Sequence, residues 1–217
     1  MIQINNVEVF GWEAAIRGMR NPMNSWDKSD SDFNAGYSST GIWLGANDLK
    51  LMKSLSKAGN DHAKFLRMVN VTVDITAPLY WWKEFDTYKV GTVANSCSTM
   101  HKIHTKEFTL DDFSHEHLTL YDPDGEIHRD FLGTLEDLID ELNIARKLFI
   151  ETNDKKWWWQ MIQLLPSSYN QKRTVQLNYQ VLKSMYFARK NHKLDCWVNL
   201  CQWIESLPYA KELICNE

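Results

Sequence analysis

The 217-residue chain has no run approaching the roughly 20 apolar residues that a helix needs to cross a bilayer. Its first residues, MIQINNVEVFGW, lack the basic start and long apolar stretch of a signal peptide. These absences set the expectation of a cytoplasmic protein with no membrane partner. Cysteine is scarce: Cys97, Cys196, Cys201 and Cys215 are too few and too unevenly spaced for a disulfide scaffold, and no two form C-x-x-C. They read as reduced thiols, mostly buried. Positive charge is not in surplus, since 24 Lys and Arg face 28 Asp and Glu for a net charge of -4. A general attraction for nucleic-acid polymers or anionic membranes is therefore missing, although a local basic site can still hold a small anion. Neither G-x-G-x-x-G nor G-x-x-x-x-G-K-[ST] occurs, which removes the dinucleotide-binding strand-to-helix turn and the Walker phosphate loop. Internal repeats and low-complexity linkers are absent too.

What is present belongs to a globular protein. A hydrophobic content of 44% with 24% charge is far from the composition of chains that stay disordered, and the length suits a single domain over residues 1–217. The ten tryptophans include Trp157, Trp158 and Trp159 in a row. Each ring covers a large apolar area and wants a partner for its N–H, so this run reads as core or subunit contact.

Patterning along the chain mixes strand and helix signals. Ile2, Ile4 and Val7 to Val9 suggest an opening strand, and Trp12 to Met19 a helix that Asn21 and Pro22 stop. Residues 27–41, DKSDSDFNAGYSSTG, favour local side-chain turns and predict a loop. Leu49, Met52 and Leu55 recur at helical spacing in Asn47 to Lys57, with Gly59 placed to end that helix in a left-handed conformation. Val69, Val71, Val73 and Ile75 alternate with Asn70, Thr72, Asp74 and Thr76, the signature of a strand buried on one face. Pro78 suits the first turn of a following helix, which aromatic residues carry to Tyr88. Thr109 with Asp112 can cap a short helix, DPDGE at 122–126 is a turn, and Leu132 to Ile150 has a long amphipathic pattern. The last third is mainly helical, interrupted by Pro166 and by TVQLN, a short strand.

Two segments carry chemistry. The first is PLYWWKEFDTYKVGTVANSCSTMH, residues 78–101, and the second is LLPSSYNQKRTVQLNYQVLKSMYFARKNHKLDCW, residues 164–197. Both resemble the flavin-dependent thymidylate synthases. That family's signature is an aromatic helix, an Arg-His-Arg triplet, a Ser, then Asn-Glu, Ser and Arg-Tyr. Here the triplet position reads Thr87, Tyr88, Lys89 and the first Ser is Thr92; with one inserted residue the later positions fall on Asn95, Ser96, Ser98, Met100 and His101. The second segment is similar to the family's Leu-Pro, strand, Asn-x-Arg, Leu and Leu-x-x-Arg run. Asn178 and Leu182 match, Arg189 falls where the family places a uracil-contacting arginine, Gln180 replaces a flavin-contacting one, and Ile162 a phosphate-binding one. His62 followed by Phe65 is a weaker third match.

The resemblance implies an α+β subunit, a mixed sheet with long helices, assembled as a homotetramer with flavin and nucleotide sites shared between subunits. It implies binding of a pyrimidine nucleotide of the dUMP type through Arg189, Asn95, Ser96 and Ser98, and of FAD through His62, Tyr88, Lys89 and Asn178. It further implies one-carbon transfer to C5 with methylene-folate as donor. Loss of guanidinium groups removes rigid bidentate anion clamps that Lys only partly replaces. The alternative is therefore an inactive protein that binds or sequesters a nucleotide on the same fold, and a third option is a structural oligomer.

Taken alone, the same residues have plainer readings. Arg189, among Lys183, Lys190 and Lys193, reads as a solvated surface cation, and Asn95, Ser96 and Ser98 as a polar turn. His101-x-x-His104 and His115-x-His117 have ligand spacing but neither an H-E-x-x-H helix nor a clear third ligand, so no metal is expected. Cys97 beside Ser98 has no evident base and is no expected nucleophile.

Overall fold

A computed structural model describes residues 2–33, 42–119 and 130–216. Residues 34–41 of the expected loop and the turn at 122–126 thus lie outside the described residues. The strands are β1 (Gln3–Phe10), β2 (Asn70–Pro78), β3 (Val93–Ser96) and β4 (Asn170–Asn178), in the sheet order β1-β2-β4-β3. The helices are α1 (Trp12–Arg20), α2 (Ala46–Lys57), α3 (Leu79–Phe85), α4 (Phe131–Thr152), α5 (Lys155–Leu164), α6 (Tyr179–Arg189), α7 (Asp195–Ser206) and α8 (Ala210–Leu213). This is the expected α+β class with long helices, but the sheet is antiparallel where a mixed one was expected.

The chain divides into two compact units, one made of Thr76–Asp86 and Ser96–Arg173, the other of Ile2–Ile75, Thr87–Asn95 and Thr174–Glu217. In the second unit β2 alternates as its sequence does: Val71, Val73 and Ile75 are buried, while Asp74 stays on the polar face. There the Thr174 hydroxyl donates to Asp74 Oδ1 at 2.6 Å and Asn6 Nδ2 donates to Oδ2 at 2.9 Å. The Tyr179 N–H meets the Val69 carbonyl at 3.0 Å in this unit, and the Leu79 N–H meets the Tyr169 carbonyl at 3.0 Å in the other. A pairing of that kind fixes β2 and β4 as antiparallel in one register, which holds all the apolar side chains of β2 on one face.

Around that face the second unit packs Trp12 edge-on to Tyr179 at 5.3 Å and to Tyr209 at 5.7 Å. Gly59, at φ +99, follows α2 in the left-handed region, as its place in the sequence suggested. A buried ion pair joins α1 to α2. The Arg20 Nε donates to Asp48 Oδ1 at 2.7 Å, and the hydroxyls of Ser29 and Ser31 both donate to Oδ2 at 2.7 Å. Burial pushes the Asp48 carboxyl up, but hydrogen bonds from Ser31, Ser29, Arg20 and the Asp30 N–H outweigh it and hold the group below its ordinary 3.8. The loop expected at 27–41 begins differently, with a 3-10 turn at Trp26–Lys28 and a bridge from Asp32 to Trp43.

The first unit has its own core, built where α4 presents Leu135, Ile139, Leu142 and Ala145 to Ile103, Phe108, Phe113 and Met161. Asp130 caps α4 by accepting the Gly133 N–H at 2.6 Å, and Asp154 caps α5 by accepting the Lys156 N–H at 2.9 Å. The Thr109–Asp112 cap forms as expected, with the Thr109 N–H donating to Asp112 Oδ2 at 2.9 Å. Pro78 ends β2 and caps α3 from outside it, rather than occupying its first turn. The tryptophan run is only partly core: Trp158 packs against the cluster, whereas Trp159 is 43% exposed. Cys196 and Cys201 are buried, but Cys97, which follows the exposed residues Val93–Ser96, is exposed.

Candidate functional site

The signature residues follow α3 on a short 3-10 turn, Asp86–Tyr88. In the second unit the Thr92 hydroxyl donates to the Tyr88 carbonyl at 2.7 Å, tightening the turn that Gly91 completes at φ +84. A Cβ on Gly91 would stand 2.9 Å from Val181 Cγ2 and 3.3 Å from Asn178 Nδ2. The missing side chain therefore lets this turn lie against the start of α6, where Asn178 accepts the Val181 N–H at 3.1 Å as N-cap.

Between these elements of the second unit lies a pocket of about 440 Å³, within the roughly 300 to 1,000 Å³ usual for small-molecule sites. Tyr88 and Asn178 line it, joined by Asn60, Arg67, Gln180 and Ser184. Gln180 Nε2 donates to Asn60 Oδ1 at 3.2 Å, and the Ser184 hydroxyl donates to the Gln180 carbonyl at 3.1 Å. The side-chain oxygen of Gln180, Oε1, is buried and has no hydrogen-bond partner among the described residues. Among the described residues of this lining, Arg67 alone carries a charge.

Arg189 is half-buried rather than a fully solvated cation. Its Nε donates to the Tyr88 hydroxyl at 3.0 Å, and its guanidinium lies 4.6 Å from the ring centre of Trp197 and 5.7 Å from that of Tyr88. Tyr88 and Trp197 themselves meet edge-on at 5.8 Å. A hydrogen bond and cation–π contacts to two aromatic rings together restrict the orientation of the guanidinium.

His62, Lys89 and Asn95 are exposed in the second unit and do not line the pocket. Ser96 and Ser98 are exposed in the first unit, where Ser98 and Cys97 line a separate pocket of about 390 Å³ with Lys102, Lys106 and Tyr169. The Ser98 hydroxyl oxygen accepts the N–H groups of Met100 and His101 at 3.1 and 2.9 Å, so it stabilises its own turn. Burial, with Asp112 and Cys97 adding to it, raises the Tyr169 phenol above its ordinary range. Among the described residues no three His, Cys, Asp or Glu side chains gather to hold a metal ion.

Sequence reasoning missed Asn60, Arg67 and Ser184 as wall residues. Asn60 and Arg67 flank the His62 to Phe65 element, and Ser184 stands one helical turn after Gln180, so proximity to matched positions was the available signal.

The fold has counterparts among solved structures. A crystal structure of thymidylate synthase X (ThyX) from Helicobacter pylori with FAD and dUMP is similar to the chain at a TM-score of 0.68 and 15% identity. The likeness covers 99% of this chain and 97% of that one. A second structure of the flavin-dependent enzyme from the same organism, complexed with FAD and dUMP, gives a TM-score of 0.65 and 16% identity, covering 97% and 98%. No family profile and no curated protein matches the sequence. At such identity the likeness establishes a shared fold, that of the flavin-dependent thymidylate synthases. No helix among the described residues is long and apolar enough to cross a membrane.

Proposed function

We propose that the chain binds a pyrimidine deoxynucleotide of the dUMP type, as a single functional domain that has kept the fold of these synthases and lost part of their anion-binding chemistry. The observation that carries this reading is the pocket at the start of α6. Tyr88 and Asn178, two residues the motif resemblance singles out, form its wall, and Tyr88 also binds Arg189, which occupies the uracil-contacting position of the motif. In this reading Arg189, Asn95, Ser96 and Ser98 serve the nucleotide, while His62, Tyr88, Lys89 and Asn178 stand where a flavin would be held. The protein works as a homo-oligomer, a tetramer by the resemblance, in the cytoplasm.

A flavin, when bound to this fold, supplies a hydride, and a methylene-folate the one-carbon unit. The side chains present do not fit the dinucleotide form. Its pyrophosphate calls for several converging cations or donors, and the pocket lining offers one guanidinium, with Gln180 in the place of a second. The polar edge of a ring fits better, since Asn60, Gln180 and Asn178 supply amides. C5 one-carbon transfer is the second reading, favoured by retention of the fold over 99% of the chain.

Calorimetric titration with dUMP, dCMP and dTMP tests the binding. One of them is expected to saturate the protein, and Arg189→Ala to weaken it by about 1.5 to 3 kcal/mol, the cost of a lost charge-assisted hydrogen bond. Equal affinity in wild type and variant removes Arg189 from the site. Incubation with FAD, dUMP, methylene-folate and reductant separates the two readings: dTMP formation with flavin reoxidation establishes the enzyme, and nucleotide binding without turnover establishes the binder.

A further inference from the structure

We propose that the pocket at the start of α6 takes a planar ring bearing an N–H donor and a single phosphate, and excludes a flavin dinucleotide. That chemistry is shared by a pyrimidine nucleoside monophosphate and by flavin mononucleotide. The inference rests on the nucleotide-binding reading and names the ligand class of one of its sites.

Two features of the pocket point the same way. Gln180 Oε1 is buried without a partner among the described residues, a state that is costly for a carboxamide oxygen. An acceptor in that state is satisfied by a donor, and an anionic phosphate has none to offer at neutral pH. A ring imide does, because its N–H sits between two carbonyls. The terminal torsion of a glutamine is broad, so turning Oε1 towards a ring N–H costs little. Nε2 and the Asn60 amide can then serve a ring carbonyl, each amide having both donor and acceptor capacity.

Charge sets the second limit. Arg67 is the only charged residue among those described in the lining, and one guanidinium forks onto one phosphate. A mononucleotide satisfies it. A dinucleotide would bring a second phosphate that meets amides and hydroxyls in place of a cation.

The test is calorimetric titration of the full chain with deoxyuridine, dUMP, riboflavin, FMN and FAD, repeated for Arg67→Ala, Arg67→Lys, Gln180→Leu and Arg189→Ala. Thermal unfolding of each variant controls for loss of fold. The phosphate-bearing member of at least one pair, dUMP over deoxyuridine or FMN over riboflavin, is expected to bind about tenfold tighter than its partner. Arg67→Ala should erase that gap and Arg67→Lys should keep most of it. Gln180→Leu should weaken both members of the pair about tenfold, because it removes a contact to the ring. FAD should bind no tighter than FMN. A response to dUMP alone assigns the pocket to the nucleotide, and one to FMN alone assigns it to a flavin.

FAD binding tenfold tighter than FMN overturns the inference, as does a phosphate preference that survives Arg67→Ala or ring binding indifferent to Gln180→Leu. If dUMP binding falls in Arg189→Ala but is unchanged in both pocket variants, and FMN does not bind, the nucleotide reading stands and the pocket inference fails. If no ligand binds the folded wild type, both fail.

Discussion

β2 and β3 are two strands of one sheet with opposite relations to water. Along β2 the side chains of Val71, Val73, Ile75 and Ala77 are all buried, while along β3 no residue from Val93 to Ser96 is. Val90, just before β3, is 92% exposed, and Val93 is 63% exposed. β2 is held by apolar burial as well as by its ladder. β3 relies on backbone pairing, which continues just beyond it where the Cys97 N–H donates to the Lys172 carbonyl at 2.9 Å. Burial fixes which residues β2 must have, and the sequence of β3 is left free of that demand.

Substituting the same charge into both strands would sharpen this contrast most. Val73→Asp places an unpaired carboxylate in a buried position, and a loss of roughly 4 to 5 kcal/mol is expected in urea unfolding. Val93→Asp should change stability by about 0.5 kcal/mol or less. Similar losses for the two would break the comparison.

Removing one partner of the buried pair beneath α1 should rank next. Asp48→Ala leaves Arg20 buried and uncompensated and is expected to cost about 3 to 5 kcal/mol. The pH dependence follows from the lowered Asp48 carboxyl. Its contribution to stability is fully present above the unfolded value, near 3.8, and is lost as pH falls through the lower folded value. Wild type should therefore lose stability on acidification through this group, and Asp48→Asn should lack that component in unfolding curves at stepped pH.

A smaller effect is expected at the turn between the two strands. Gly91→Ala must hold a left-handed backbone at φ +84 and crowd Val181, a cost of about 1 to 2 kcal/mol. An unchanged thermal midpoint would show that the turn relaxes. Tyr88→Phe should be milder still, about 0.5 to 1.5 kcal/mol from the hydrogen bond to Arg189, and its effect on dUMP affinity reports whether Tyr88 positions that arginine.

The same contrast explains what the sequence made legible. The alternation of Val71, Val73 and Ile75 and the helical spacing of Leu135, Ile139 and Leu142 are answered by burial within each unit, so β2 and α4 were readable from patterning. β3, with the letters VANS, has no apolar period and was read only as part of a motif. β4 begins at Asn170, four residues before the TVQLN run, because Gln171 and Arg173 are polar residues with structural partners. Gln171 Nε2 donates to the Cys97 carbonyl at 2.8 Å, and Arg173 lies 4.2 Å from the Trp82 ring and pairs with Asp86 at 2.8 Å. Such pairs join residues distant in sequence and leave no local periodicity.

The candidate site was legible in part for the same reason. Asn178 and Tyr88 came from motif spacing, and both reach the pocket. Arg189 came from the same spacing, but the aromatic faces of Trp197 and Tyr88 that fix it are a tertiary arrangement. Asn60 and Arg67 are polar surface residues that only folding brings opposite Gln180.

Calorimetric titration of the purified chain with dUMP, set against dAMP, tests the central claim most directly. A pyrimidine-nucleotide site predicts saturable binding of dUMP at least tenfold tighter than dAMP, with one site per chain. No saturable binding of dUMP to the folded protein, or equal affinity for the two nucleotides, would contradict it.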